Sequence, residues 1–104
     1  MEQRRTRRFT IQLPISITRN GPERITQMGL TRNISSGGVL FTTEKEPGIG
    51  ASIEYIITLS GNSEQGVSLR CIGKVVRADP SPAGETAYDV AATLERYEFV
   101  RPEE

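Results

Sequence analysis

The sequence predicts an all-β domain: a six-stranded antiparallel β-barrel with a short C-terminal helical turn. Three observations predict it. Apolar residues recur with period two along most of the chain, and clusters of Gly, Pro, Asn and Ser interrupt that alternation at regular intervals. The chain has only 104 residues and little helical pattern, so no second layer is left to cover one face of an open sheet, and closure into a barrel is the better solution. No internal repeat or low-complexity stretch divides it, and its length is that of one domain.

The elements follow in order. Phe9, Ile11, Leu13, Ile15 and Ile17 alternate with Thr10, Gln12, Pro14, Ser16 and Thr18, which reads as a half-buried strand. Pro14 has no amide hydrogen, so it belongs at an unpaired position or beside a bulge. The turn signal Asn20-Gly21-Pro22 closes that strand, a second covers 24–33, and "SSGG" breaks the chain before a short strand at 39–43. After "EPGIG" at 46–50, Ala51, Ile53, Tyr55, Ile57 and Leu59 alternate as a fourth strand. A polar loop at 60–66 leads into a fifth, whose buried face is Val67, Leu69, Cys71, Gly73 and Val75 and which ends near Arg77. "DPSPAGE" at 79–85 is a loop, Tyr88, Val90, Ala92 and Leu94 mark the last strand, and "ERYEFVRPEE" is read as the helical turn, stopped at Pro102.

Composition narrows the function. Thirteen basic and thirteen acidic residues cancel to a formal net charge of zero, and histidine is absent. The commonest general base and transition-metal ligand are therefore missing. The single cysteine, Cys71, has no imidazole to activate it and no partner for a disulfide or a zinc site. No enzyme activity and no cofactor are expected. The apolar runs are a few residues long, far short of the ~20 that span a bilayer, and no apolar stretch follows the charged N-terminus as in a signal peptide. These features point to a cytoplasmic protein without membrane insertion.

Against this neutral background, "RRTRRF" at 4–9 places four arginines in five residues. Residues 1–8 are read as a flexible Arg-rich arm and 9–104 as the barrel domain. Such an arm is either solvated or grips an anion. Further on, "TRNISSGG" at 31–38 is a strand ending in a turn, where Asn33 and Ser35 can bond the local backbone and Gly37 and Gly38 supply positive φ or close backbone approach. Alternation turns Arg32 away from Asn33.

Arg4 and Arg8 form R-x-x-x-R, and Asn33-x-Ser35-x-x-Gly38 fits [D/N]-x-S-x-x-G. In this order, around the first two strands of a small β-domain, and with "GKVVR" at 73–77 and the strand at 88–94 as further matches, the pair resembles the PilZ family of bacterial receptors for cyclic di-GMP. The resemblance covers essentially the whole chain. It implies a six-stranded barrel with a C-terminal helix, here short, and a cyclic di-GMP site made of Arg4, Arg5, Arg8, Asn33, Ser35, Gly37 and Gly38. It also implies a downstream protein partner, in motility, exopolysaccharide export or transcription. Gln3, before the first motif arginine, leaves one or two ligands per chain open.

The chemistry suits these residue types. A guanine presents acceptors O6 and N7 on one edge, which an arginine fork meets bidentately, and the same fork suits phosphate. Arg4 and Arg8 are the principal candidates, Arg5 a helper and Arg7 solvated. The Asn33 carbonyl can accept from guanine N–H groups, more weakly than a carboxylate. Ser35 donates to the ligand or caps its turn. Two rivals stand beside this reading. Charge neutrality, pI near 6.3 and no tryptophan argue against a nucleic-acid-binding barrel, which needs a basic face and stacking platforms. A PilZ-like adaptor without nucleotide binding is the alternative, although such a protein has no need of both motifs.

Overall fold

The computed structural model describes residues 10–59, 67–82 and 87–100. These hold seven strands: β1 (Pro14–Asn20), β2 (Glu23–Ser35), β3 (Gly38–Thr43), β4 (Ser52–Thr58), β5 (Ser68–Pro80), β6 (Tyr88–Thr93) and β7 (Arg96–Val100). All pairings are antiparallel, and six strands close a ring in the order β1-β2-β3-β6-β5-β4 and back to β1. The expected barrel is therefore present, with one additional strand.

Alternation supplies the core. Ile15, Ile17, Val39, Phe41, Ile53, Tyr55, Ile57, Cys71, Val75, Val90 and Ala92 are all buried, and they come from β1, β3, β4, β5 and β6 at every second position. Each large aliphatic or aromatic side chain so buried contributes roughly 1.5–3 kcal/mol by transfer from water. The one phenol in this core is satisfied: the Tyr55 hydroxyl donates to the Thr93 carbonyl at 2.9 Å. Among the described residues no buried side-chain nitrogen or oxygen lacks a hydrogen-bond partner.

The C-terminal helical turn is a correction. Arg96–Val100 is a strand, β7, paired with residues 68–72 of β5. The reason lies in the length of β5. Its thirteen residues present one edge to β4 over 68–74, while β6 occupies the other edge only from Val75 to Pro80. The backbone groups of 68–72 on that second edge need partners, and the chain leaving β6 supplies them, beginning with the Glu95 amide donating to the Ile72 carbonyl at 2.8 Å. "RYEFV" also has the aromatic, period-two character of a strand; Tyr97 and Phe99 meet edge to face with ring centroids 6.2 Å apart.

The first strand is shorter than its alternation suggested. Phe9 lies outside the described residues, residues 10–13 are not in a strand, and Ile11 is exposed. Instead, one buried hydroxyl fastens this segment: Thr31 Oγ1 donates to the Ile11 carbonyl at 2.6 Å and accepts from the Leu13 amide at 2.8 Å. The Thr31 amide donates in turn to the Leu13 carbonyl at 2.9 Å. The chain entering the barrel is thus tied to β2 two residues before Asn33.

Candidate ligand-binding site

Two bulges build the site. In β2 the register passes from Thr31↔Phe41 to Asn33↔Leu40, so Arg32 is an extra residue. A bulge of this kind puts two successive side chains on one side of the sheet and breaks strict alternation. Thr31 and Phe41 point into the barrel and are fully buried; after the bulge Asn33 lies on the outer face and Ile34 packs against the core. The alternation that set Arg32 opposite Asn33 therefore does not hold. Arg32 is drawn instead to Asp89, whose two carboxylate oxygens lie 3.3 and 3.2 Å from Nη1. Asp89 also accepts from the Thr42 hydroxyl at 3.1 Å.

In β5 the register passes from Val75↔Ala92 to Arg77↔Ala91, which makes Val76 the extra residue. Val75 is buried, whereas Val76 and Arg77 are exposed. The pairings Asn33↔Leu40, Leu40↔Ala91 and Ala91↔Arg77 then define one transverse row across β2, β3, β6 and β5. Three strand spacings separate its ends by about 14 Å. Both ends of the row are residues that follow a bulge.

Around this row lies an open cavity of about 390 Å³, lined by Asn33, Ser35, Gly37, Gly38, Val39, Leu40, Val76, Arg77, Ala91, Ala92 and Thr93. That size falls in the range of small-molecule sites, roughly 300–1,000 Å³. The four candidate residues of the β2–β3 turn, Asn33, Ser35, Gly37 and Gly38, are brought together at one end. Ser35 caps its own turn: its Oγ accepts from the Gly37 amide at 3.3 Å and donates to the Gly38 carbonyl at 3.4 Å, both long contacts. The Asn33 side chain makes no hydrogen bond among the described residues.

Of the two roles expected of these glycines, positive φ or close backbone approach, the structure shows the second, and at Gly38. Neither Gly37 nor Gly38 has positive φ. Gly38 is instead required by close approach, since a Cβ there would stand 2.7 Å from the Ala92 carbonyl oxygen of β6. At Gly37 a Cβ would meet nothing within 4 Å. Arg4, Arg5 and Arg8, with the rest of the 1–8 arm, lie outside the described residues.

Sequence reasoning missed the far wall of the cavity: Leu40, Val76, Arg77, Ala91 and Thr93. "GKVVR" was legible as a strand, but nothing in the letters reports a bulge at Val76 or which strand lies beside β6. Cys71 takes no part here; it is buried in the barrel, and desolvation pushes its thiol up to about 12, the reverse of what a nucleophile needs. The same cause, added to by Cys71 and Glu95, raises the Tyr55 phenol well above its ordinary value. Among the described residues no group of three or more His, Cys, Asp or Glu is placed to hold a metal ion, and no helix is long and apolar enough to cross a membrane.

Comparison with known proteins bears on this geometry. The solved structure of the Bacillus subtilis inhibitor of motility (MotI/DgrA) is similar to this chain, with a TM-score of 0.72 at 22% identity. The match covers 94% of this chain and 45% of that one, so the chain spans less than half the length of that protein, and at this identity the likeness is one of fold. No curated protein matches. The family model described as PilZ domain matches residues 2–99, a span that contains both the arginine segment and the Asn33–Gly38 turn. The chain belongs to the PilZ domain family.

Proposed function

We propose that this protein is a cyclic di-GMP receptor that holds its ligand between the arginines of residues 1–8 and the Asn33–Gly38 turn, and passes ligand occupancy to a protein partner. PilZ domains are receptor and adaptor modules. The observation that carries the assignment to this chain is that Asn33, Ser35, Gly37 and Gly38 all line one cavity, with the Asn33 amide unengaged among the described residues.

The chain entering the barrel supports the same reading. Ile11 and Leu13 are held by Thr31, two residues before Asn33. Arg8 is three residues before Ile11, so its Cα is at most about 11 Å from that anchored point. A seven-atom arginine side chain on such a tether can reach a ligand seated at the turn. Gathering the arm onto the ligand costs up to about 1–2 kcal/mol per residue in backbone entropy, which guanidinium contacts to guanine and phosphate must exceed. Arm ordering is the signalling step in this scheme.

Isothermal titration of the full chain with cyclic di-GMP tests the reading and gives the stoichiometry. The unmodified chain is expected to bind, and an Arg4→Ala/Arg8→Ala double variant to lose measurable affinity, since each bidentate contact is worth roughly 1–3 kcal/mol. A folded protein that releases no heat and shows no ligand-induced shift in melting temperature would assign it to the adaptor class.

A further inference from the structure

We propose that Arg77, on the barrel wall, is a ligand-binding arginine whose guanidinium reads the O6/N7 edge of a guanine lying on the apolar half of the cavity floor. The inference deepens the receptor reading and rests on it. It adds a group that belongs to neither the arm nor the β2–β3 turn.

Four observations carry it. First, Arg77 lines the same cavity as Asn33 and ends the same transverse row, about 14 Å away across three strand spacings. Second, the bulge at Val76 is what brings Arg77 outward beside Ala91; unbroken alternation from buried Val75 would turn residue 77 inward. Bulges that re-aim a side chain concentrate beside functional sites.

Third, Arg77 is held but not consumed. Its Nε donates to Asp79 Oδ2 at 3.2 Å, and its terminal amino groups make no hydrogen bond or ion pair among the described residues. The other arginines with carboxylate partners are committed elsewhere: Arg32 to Asp89, and Arg19 and Arg70 to Glu54. The Arg77–Asp79 pair is itself 73% and 59% exposed, so its worth to the fold is small. It orients the side chain and leaves the outer pair of nitrogens free to form a fork.

Fourth, the lining divides by chemistry. Asn33, Ser35, the Gly37 amide and Thr93 make one end polar, whereas Val76 and Ala91 flank Arg77 with apolar surface that Leu40 continues along the row. A flat base lies on such a floor at low cost; a phosphate does not, because it needs polar partners all round. The group that meets the Arg77 fork is therefore the base edge. Planar fork geometry matches the O6/N7 acceptor pair, which a lysine point charge does not.

The test is a titration of the full chain, as wild type, Arg77→Ala and Arg77→Lys, with cyclic di-GMP and with its 7-deaza analogue, which lacks the N7 acceptor. Arg77→Ala is expected to weaken cyclic di-GMP binding about 10- to 100-fold, with lysine recovering less than a third of that factor. The loss on the 7-deaza ligand is expected to be at least about threefold smaller, because one of the two bonds is already gone. An equal loss on both ligands, or full recovery by lysine, would overturn the base contact in favour of phosphate. An Arg77→Ala affinity within twofold of wild type would overturn the inference while leaving the receptor reading intact. A wild-type chain that binds neither ligand would end both.

Discussion

Two cavities of nearly equal size lie on the outer wall of the barrel, and their contrast shows why shape alone does not make a site. One, about 390 Å³, runs from Asn33 to Arg77; the other, about 420 Å³, is lined by Thr18, Arg19, Arg24, Glu54, Ile56, Ser68, Arg70 and Val100. The second holds three arginines and would be the choice on charge. Yet two of the three are engaged, which leaves Arg24 as the cation without an ion pair among the described residues: Glu54 takes Arg70 at 2.7 Å and Arg19 at 3.6 Å, and Arg70 also meets Glu98 at 3.3 Å. That is a cross-strand ladder of ion pairs joining β1, β4, β5 and β7. In the first cavity the Asn33 amide and the outer nitrogens of Arg77 have no competing partner among the described residues, and the row between them is Leu40 and Ala91. Free polar ends over an apolar floor suit a ligand; paired charges suit a wall.

The sharpest way to break that contrast is at the floor. Gly38→Ala pushes a Cβ to 2.7 Å from a backbone oxygen of β6, so β3 and β6 must separate locally. The expected loss is about 1–3 kcal/mol, a drop in melting temperature of roughly 4–8 °C per kcal/mol for a domain of this size. Cyclic di-GMP binding should fall with it. Gly37→Ala, with open space around it and no positive φ, is expected to melt within about 0.5 kcal/mol of wild type. Thermal unfolding of both variants checks the pair. Equal destabilisation would mean that backbone approach is not what Gly38 provides.

A smaller effect is expected where the arm joins the barrel. Thr31→Val keeps the shape of a buried, β-branched side chain but removes the hydroxyl that holds Ile11 and Leu13. The Leu13 amide is partly buried, so its lost bond costs about 1–2 kcal/mol. Ligand affinity should also fall severalfold, because binding must then also fix residues 10–13. Thr31→Ser retains the hydroxyl and is expected to restore affinity. Titration calorimetry on the two variants separates an anchoring hydroxyl from a filled volume.

Much of this molecule was legible from its letters because barrel cores are written in period two. Ile15 and Ile17, Ile53 to Ile57, Cys71 and Val75, and Val90 and Ala92 point inward where alternation puts them. Legibility stops at the bulges. One extra residue at Arg32 or Val76 inverts every inference beyond it, and the motif residues Asn33 and Ser35 were found through a family resemblance and not through periodicity. Arg77 was invisible as a site residue for a different reason. Its neighbour across the groove is forty-four positions away in sequence, and only the closed order β2-β3-β6-β5 brings the two into one row. The β7 strand was missed because its cause, the unpaired half-edge of β5, is a property of tertiary pairing.

The smallest predicted effect tests the wall itself. Arg70 is 47% exposed and touches two carboxylates, so by ion pairs alone it is more engaged than Arg77. Exposed pairs of this kind are worth roughly 0.2–1 kcal/mol each, because solvent screens them and long side chains lose freedom in making them. After Arg70→Ala, Glu54, whose side chain is 18% exposed, keeps Arg19 as a partner at 3.6 Å, so its charge is not left unpaired. Stability should fall by no more than about 1 kcal/mol, and the loss should shrink as salt rises toward 1 M and the Debye length toward ~3 Å. Cyclic di-GMP affinity should stay within twofold of wild type, as measured by titration beside Arg77→Ala. If Arg70→Ala instead weakened the ligand as much as a change at Asn33 or Arg77, the ligand would be reading net charge over the whole barrel, and the distinction between a satisfied wall and an open row would have no functional content.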